Sequence, residues 1–180
     1  GSLRRSMFML VILFSVLVCG VNILLSYHNF AASNKRFAYS TSETVARTCS
    51  MIIDGETLEN YISTGKRDSD YYVLWNKLID YRSTNEEILQ LSVVKFVEQG
   101  AKYIFDTDLS EKGAFLGDIK RLDNHQEKYQ SRLISGEDIG FIEYGDQIVV
   151  YEPIVSSYSE HIGYVIVGIS TEHSRIQQIN

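Results

Sequence analysis

A run of twenty uncharged, mostly apolar residues at positions 7–26 dominates the hydrophobic pattern of this chain. The run reads MFMLVILFSVLVCGVNILLS, and a helix of this length spans roughly 30 Å, the thickness of the hydrocarbon core of a bilayer. Because apolar residues cover every face of such a helix, it differs from an amphipathic surface helix. The pattern therefore predicts a transmembrane helix over residues 7–27. The alternatives are a buried core helix and a signal peptide cleaved near Ala31-Ala32-Ser33.

The helical pattern continues beyond the apolar run. Residues 28–54 contain no Pro or Gly, and their apolar and threonine positions recur at helical spacings: Phe30, Phe37, Thr41, Val45, Thr48 and Ile52. We expect this long helix to end with Gly55 as its C-terminal cap. A shorter helix is predicted over 57–63, with Gly65 as its stop. An amphipathic helix is predicted over 70–82, capped by Asp68, Ser69 or Asp70.

From residue 88 onward the period of the pattern changes to two, which is typical of strands. Gln99-Gly100 predicts a tight hairpin turn, residues 109–123 a loop and 124–134 a short helix. The predicted strands cover 88–98, 101–106, 141–144, 147–154 and 162–170, and a last helix is predicted over 171–179. Helices followed mostly by strands indicate an α+β fold with an antiparallel sheet.

Alternation along the strands predicts which side chains share a face of the sheet. Tyr103 and Phe105 are expected on one face of their strand, with Asp106 on the other. In the last strand, Tyr164 is expected to share a face with Ile162.

The charge distribution predicts the orientation of the transmembrane helix and disfavours nucleic acid as a partner. Arg4 and Arg5 are the only charged residues among the first 26, and basic flanks stay in the cytoplasm. We therefore expect a cytoplasmic N-terminus and an extracytoplasmic domain. The whole chain has 17 basic and 23 acidic residues. An acidic chain without a basic stripe is not expected to bind nucleic acid, because Lys and Arg supply most of that affinity.

Cysteine and histidine positions predict neither a disulfide nor a metal site. Cys19 lies in the apolar run and Cys49 in the following helix, so a bond between them would have to join the membrane interior to the folded domain. The four histidines are scattered and show no metal-ligand spacing. No cofactor is expected.

Two stretches resemble the Cache family, the PAS-like extracytoplasmic sensor domains of bacterial transmembrane receptors. They are KYIFDTDLSEKGAFLGDI, residues 102–119, and VVYEPIVSSYSEHIGYVIVGIS, residues 149–170. The resemblance implies a PAS-like antiparallel sheet with a long N-terminal helix continuing from the transmembrane helix. It further implies an input module for a histidine kinase, diguanylate cyclase or chemoreceptor. In this family the membrane-distal pocket binds small molecules, and the long helix tends to form homodimers.

The pattern and the resemblance together divide the chain into five segments. We expect an expression-tag remnant with a cytoplasmic basic flank at 1–6, a lipid-contacting transmembrane helix at 7–27, a long signalling and dimer helix at 28–56, a Cache-like sensor domain at 57–170, and the start of a C-terminal helix leading to a second span at 171–180.

The candidate ligand-binding residues are aromatic side chains with a few polar anchors, the usual composition of a small-molecule pocket. The set comprises Tyr71, Trp75, Arg82, Tyr103, Asp106, Arg132, Tyr151 and Tyr164. Members of the family that bind amino acids carry an Asp late in the final strand, where this chain has Gly168, and an Arg on the preceding helix that is missing here. An amino-acid ligand is therefore not predicted.

Three functions fit these observations to different degrees. The first is a sensor that passes ligand-dependent movement through its terminal helices. The second is a membrane-anchored binding or assembly module without signalling output. The third is a hydrolase, because Asp106-Thr107-Asp108 after a strand resembles the nucleophile motif of haloacid-dehalogenase-type phosphatases. Those enzymes need a parallel sheet, and no alternating strand-helix pattern predicts one, so this domain is not expected to be an enzyme.

Overall fold

The computed structural model describes residues 2–171, with side chains from Arg5 onward. The chain divides into two compact units, with the boundary between Arg36 and Phe37. The C-terminal helix predicted over 171–179 lies outside the described residues beyond Thr171.

The first unit consists of the N-terminal part of helix α1, which covers Ser2–Ile52. Its apolar stretch is exposed along its whole length, and by length and composition it could cross a membrane. Asn22 is accommodated within the helix, since its side-chain amide donates to the carbonyl oxygen of Val18 at 2.9 Å. The predicted continuation of this helix past the apolar run is confirmed.

Gly55 does not cap α1, and that prediction is wrong. Helix α1 ends at Ile52, and Gly55 is the first residue of α2, Gly55–Thr64. Asp54 caps α2 by accepting a hydrogen bond from the Thr57 backbone N–H at 3.0 Å. Gly55 is needed for a different reason: a Cβ atom there would lie 2.6 Å from the carbonyl oxygen of Val155.

The caps predicted for the next two helix ends are confirmed. Gly65 ends α2 in the left-handed conformation, with φ of 63°. Helix α3, Ser69–Ser83, begins with Asp68, whose carboxylate accepts from the Tyr71 backbone N–H at 2.9 Å.

Six antiparallel strands form one sheet in the order β3-β2-β1-β6-β5-β4. The sheet therefore places β1 and β6, the first and last strands along the chain, next to each other. The strands are β1 Ile88–Val97, β2 Gly100–Asp106, β3 Ile119–Lys120, β4 Gly140–Tyr144, β5 Gln147–Val155 and β6 His161–Ser170.

Three details of the strand region differ from the predictions. The turn between β1 and β2 falls on Glu98-Gln99, one residue earlier than predicted. Strand β3 interrupts the predicted loop over 109–123. The helix predicted over 124–134 is confined to a 3-10 turn, Glu127–Tyr129, and the one-turn α4, Gln130–Ile134.

The two faces of the sheet bury separate clusters of side chains. We call the face covered by α1, α2 and α3 the helix face and the opposite one, which α4 covers, the second face. The helix-face core includes Val45, Cys49, Leu58, Tyr71, Leu91, Phe105, Val150 and Val167. The second-face core includes Val94, Phe96, Leu133, Ile142, Tyr151, Tyr164 and Ile166.

A β-bulge at Ile104 overturns the predicted faces of β2. Val93 pairs with Phe105, but its neighbour Val94 pairs with Tyr103, so Ile104 is an extra residue. Because side chains alternate, one extra residue reverses the faces beyond it. Tyr103 therefore lies on the second face and Phe105 on the helix face.

A second register shift, at the start of β6, separates Ile162 from Tyr164. The shift falls between Ile154 and Val155 of β5. Ile162 belongs to the helix-face core and Tyr164 to the second-face core. The prediction that they share a face is wrong for the same reason.

Within the second unit, α1 runs antiparallel to β6. Two contacts of α1 on the β4-β5 side of the sheet show its direction: the Tyr39 ring packs against Phe141, which pairs with Val150, and Arg47 lies 4.0 Å from Glu152. Gly55, the first residue of α2, follows beside Val155. These β5 residues pair in turn with Val167, Val165 and His161 of β6. Strand β6 therefore ends at the side of the domain from which α1 arrives.

Candidate ligand-binding site

A group of polar and aromatic side chains on the second face forms the candidate site, which we call the second-face cluster. It contains Tyr103, Asp106, Lys120, Asp123, Gln126, Tyr144 and Tyr151. The bulge at Ile104 creates it, because it places Tyr103 and Asp106 on the same face. Lys120 of β3 joins them: its Nζ lies 3.8 Å from Asp106 Oδ2 and 4.8 Å from the centroid of the Tyr103 ring.

The Asp106 carboxylate organises the loop that follows β2. Its Oδ1 accepts from the Asp108 backbone N–H at 3.1 Å, and its Oδ2 accepts from the Ala114 backbone N–H at 2.9 Å. The Asp106 side chain is 9% exposed and that of Lys120 is 40% exposed. The cluster thus has a buried anion fixed by its own loop and a cation that solvent can reach.

The other half of the cluster is a chain of hydrogen bonds that joins one side-chain amide, two tyrosine hydroxyls and one carboxylate. The Tyr144 hydroxyl donates to Asp123 Oδ2 at 3.1 Å, and the Gln126 side-chain amide donates to the Tyr151 hydroxyl at 3.1 Å. The hydroxyls of Tyr144 and Tyr151 are 3.1 Å apart. Since Tyr144 gives its proton to Asp123, Tyr151 is the donor between the two hydroxyls.

The three tyrosines of the cluster keep their protons at physiological pH. Burial, reinforced by the nearby Asp106 carboxylate, raises the pKa of Tyr103 to about 12. Burial also raises the pKa of Tyr144 and that of Tyr151. The site therefore offers neutral hydroxyls that both donate and accept, beside one carboxylate and one ammonium at the Tyr103 end.

Three of the predicted site residues bind the backbone at the end of β2, or of the residue that follows it, from the helix face instead of lining the cluster. The Tyr71 hydroxyl donates to the Ile104 carbonyl at 2.8 Å, the Trp75 indole N–H donates to the Asp106 carbonyl at 2.6 Å, and Arg82 Nη1 donates to the Thr107 carbonyl at 2.7 Å. Helix α3 thus holds the bulged end of β2 in place through three consecutive side-chain contacts.

The remaining two predicted residues also lie outside the cluster. Tyr164 is fully buried in the second-face core, and its hydroxyl donates to the Glu137 carbonyl at 2.8 Å. Arg132 makes a bidentate ion pair with the Glu137 carboxylate, at 2.8 and 2.7 Å. Of the eight predicted residues, only Tyr103, Asp106 and Tyr151 meet in one place.

Four residues of the cluster escaped the sequence analysis: Lys120, Asp123, Gln126 and Tyr144. Lys120 sits in a strand of two residues, too short to produce an alternating pattern. Asp123 and Gln126 lie in a stretch predicted as the end of a loop and the start of a helix. The one usable signal was Tyr144, which is the last residue of the strand predicted over 141–144.

An open groove of about 290 Å³ lies beside the tyrosine end of the cluster. It is lined by His125, Lys128, Tyr129, Phe141, Ile142 and Glu143. The His125 ring lies 4.7 Å from the Tyr144 ring, between centroids, so the groove reaches the edge of the cluster. Its volume is at the lower limit for small-molecule sites.

Within the described residues, no group of three or more His, Cys, Asp or Glu side chains is placed to hold a metal ion. No protein-family model matches this chain, and no curated protein matches it significantly. The geometry of the site and of the sheet is therefore the basis for any assignment.

Proposed function

We propose that this chain is the extracytoplasmic sensing domain of a bacterial transmembrane receptor, of the PAS-like Cache type. A small molecule bound at the second-face cluster changes the position of the bulged end of β2. The movement passes to the helices on the other face and along α1 toward the membrane. In this proposal the apolar stretch of α1 is the first of two spans, with its N-terminus in the cytoplasm.

The observation that carries this proposal is the antiparallel course of α1 and β6. The chain enters the domain along α1, and β6 ends at the side from which α1 arrives. A receptor that crosses the membrane twice needs both connections on one side of its sensor. An anchored binding module needs only one of them. A six-stranded antiparallel sheet with β1 and β6 adjacent agrees with the PAS-like sheet of the proposal.

The contacts of β2 supply a route from the cluster to the helices. Asp106 directs its carboxylate to Lys120 on the second face, and its carbonyl accepts a hydrogen bond from Trp75 of α3 on the helix face. A ligand that engages Lys120 competes with Asp106 for the ammonium group. Signalling requires that the ligand bind two arrangements of this region with different affinities, and the proposal assigns these two arrangements to the bulged end of β2.

The exposed side of α1 in the second unit supports a dimer. Phe37, Thr44 and Met51 follow each other at seven-residue spacing, and all three are exposed. Seven residues is the heptad repeat of a two-helix coiled coil, so the three positions share one stripe of the exposed helix surface. Met51, with 84% of its surface exposed, is an unusually open apolar side chain that a second copy of α1 would cover.

The proposal is tested with a thermal-shift screen of small acids, amines and sugars on the full chain in detergent. A ligand at 100 times its Kd should stabilise the domain by about 2.7 kcal/mol. Lys120→Ala should abolish that stabilisation, whereas Lys77→Ala, an exposed lysine of α3, should preserve it.

The outcomes separate the sensor from the anchored module. A ligand should also change the rate at which Thr44→Cys chains cross-link through α1. Stabilisation without any change in cross-linking would favour a binding module without signalling output. A screen in which no compound stabilises the chain would overturn ligand sensing at this cluster.

A further inference from the structure

His161, the first residue of β6, has an imidazole whose two nitrogens are buried and lack hydrogen-bond partners. In the described part of the chain, no other buried side-chain nitrogen or oxygen is left without a partner. A buried polar group without a hydrogen bond is costly, and folded proteins rarely keep one. This position therefore calls for a functional explanation.

The surroundings of His161 accommodate a neutral ring and offer nothing to a charged one. Its ring contacts that of Tyr164, with centroids 4.6 Å apart. It also lies so close to Gly136 that a Cβ atom there would sit 2.3 Å from the imidazole Cγ. Gly136 has φ of 80°, so the backbone as well as the contact favours glycine.

The charged and titratable groups around this ring do not offset the positive charge that protonation would give it. Lys95 of β1 is a cation and repels the imidazolium. The Tyr164 hydroxyl is directed to the Glu137 carbonyl, and the Glu137 carboxylate is bound by Arg132. Burial first, and then Lys95, lower the pKa of His161 from its usual 6.5.

The ring is connected through one strand pair to the end of the long helix. His161 pairs with Val155 of β5, whose carbonyl oxygen is the atom that approaches Gly55 at the start of α2. In the same turn, the Ser157 hydroxyl donates to the Glu56 carboxylate. The β5–β6 turn, residues 156–160, therefore lies against the point where α1 has ended and α2 begins.

We propose that His161 is an acid-operated switch: protonation expels its ring from the site beside Gly136 and detaches the β5–β6 turn from the start of α2. The assignment of external acidification as a second stimulus rests on the proposed receptor function. The switch itself rests on the contacts of His161 and needs no ligand. A domain with this switch responds to acid even when the second-face cluster is empty.

The switch is tested on the full chain in detergent by two measurements between pH 8 and pH 5. The first is the histidine ring proton signal, assigned with His161→Gln, which should titrate below 6.5. The second is amide hydrogen exchange at residues 55–58 and 156–160, corrected for the intrinsic pH dependence of exchange. Protection of both segments should fall as the ring becomes protonated.

Matched variants separate the switch from a general effect of acid. His28→Gln replaces an exposed histidine of α1 and should leave the acid response unchanged. His161→Phe keeps an aromatic ring against Tyr164 and should remove the response. Titration of His161 at or above 6.5, or an equal loss of protection in His161→Phe, would overturn the switch. Neither result would affect ligand stabilisation at the second-face cluster, so the two proposals fail independently.

Discussion

Replacing Tyr71 with Phe decides whether this residue supports the bulge or contacts a ligand. In the structure the Tyr71 hydroxyl donates to the carbonyl of the bulged residue Ile104 at 2.8 Å, in a buried position. The ring stacks on Phe105, with centroids 4.7 Å apart and planes at 20°, and Phe keeps that packing. The variant therefore removes the side-chain hydroxyl that donates to the buried Ile104 carbonyl.

The expected loss of unfolding free energy for Tyr71→Phe is about 1–2 kcal/mol, since an unsatisfied buried acceptor costs more than the net value of an average hydrogen bond. Urea unfolding followed by the fluorescence of Trp75, the single tryptophan, should show a midpoint lower by about 0.5–1 M, with an unchanged slope near 2 kcal/mol per M. Tyr61→Phe is the control. The Tyr61 hydroxyl lies 3.3 Å from the Asp68 carboxylate, which makes a longer and weaker hydrogen bond than that of Tyr71, so its loss should lower the unfolding free energy by less.

The opposite pattern would refute this reasoning. If Tyr71→Phe unfolds at the same urea concentration as the unchanged chain but loses stabilisation by a ligand, Tyr71 contacts the ligand as the sequence predicted. If Tyr71→Phe lowers both the urea midpoint and the stabilisation by a ligand, the bulge must be held in place for the second-face cluster to bind that ligand.

Three further predictions address the start of α2, a partly buried acid and the proposed dimer seam. Gly55→Ala should lower the unfolding free energy by about 1–3 kcal/mol, because the added Cβ meets backbone atoms of β5; an unchanged urea midpoint would contradict this contact. Burial raises the pKa of Glu152 above 4.5, against the opposing effect of the neighbouring Arg. The stability that Glu152 contributes is thus present below pH 4.5 and is lost as the pH rises through the pKa of Glu152 in the folded protein. Glu152→Gln should flatten that part of the plot of melting temperature against pH. In chains carrying Cys19→Ser, Thr44→Cys on the exposed side of α1 should form disulfide-linked dimers under oxidation, and the buried Ser42→Cys should not; equal cross-linking would argue against this seam.

Local patterns predicted most helix ends and strands correctly because their causes are local. The cap at Asp68 and the stop at Gly65 depend on side-chain and backbone geometry within one turn of helix. The strand positions followed from alternation over several residues. Gly55 was misassigned because glycine is favoured both at left-handed helix caps and where another backbone approaches closely. The approaching residue, Val155, lies one hundred positions away in the sequence.

The site could be predicted only in part because a bulge leaves no mark in the alternating pattern. Once Ile104 is inserted as an extra residue, Tyr103 and Asp106 point to the same face, whereas simple alternation places them apart. The aromatic residues of α3 have the composition of a pocket, but their polar atoms are engaged by backbone carbonyls of β2. Composition identifies such residues, and only the register of the strands assigns them to one side of the sheet or the other.

The bulge also explains why one residue can serve both faces. Asp106 offers its carboxylate to Lys120 on the second face and its carbonyl to Trp75 on the helix face. Both groups belong to the same residue, so a ligand that displaces the carboxylate by moving the backbone also strains the hydrogen bond to α3. The neighbouring bonds from Tyr71 to Ile104 and from Arg82 to Thr107 resist that movement. In the proposed sensor, coupling between the faces should therefore depend on the strength of these three α3 contacts, and weakening one of them should change the transmitted signal even where the ligand still binds.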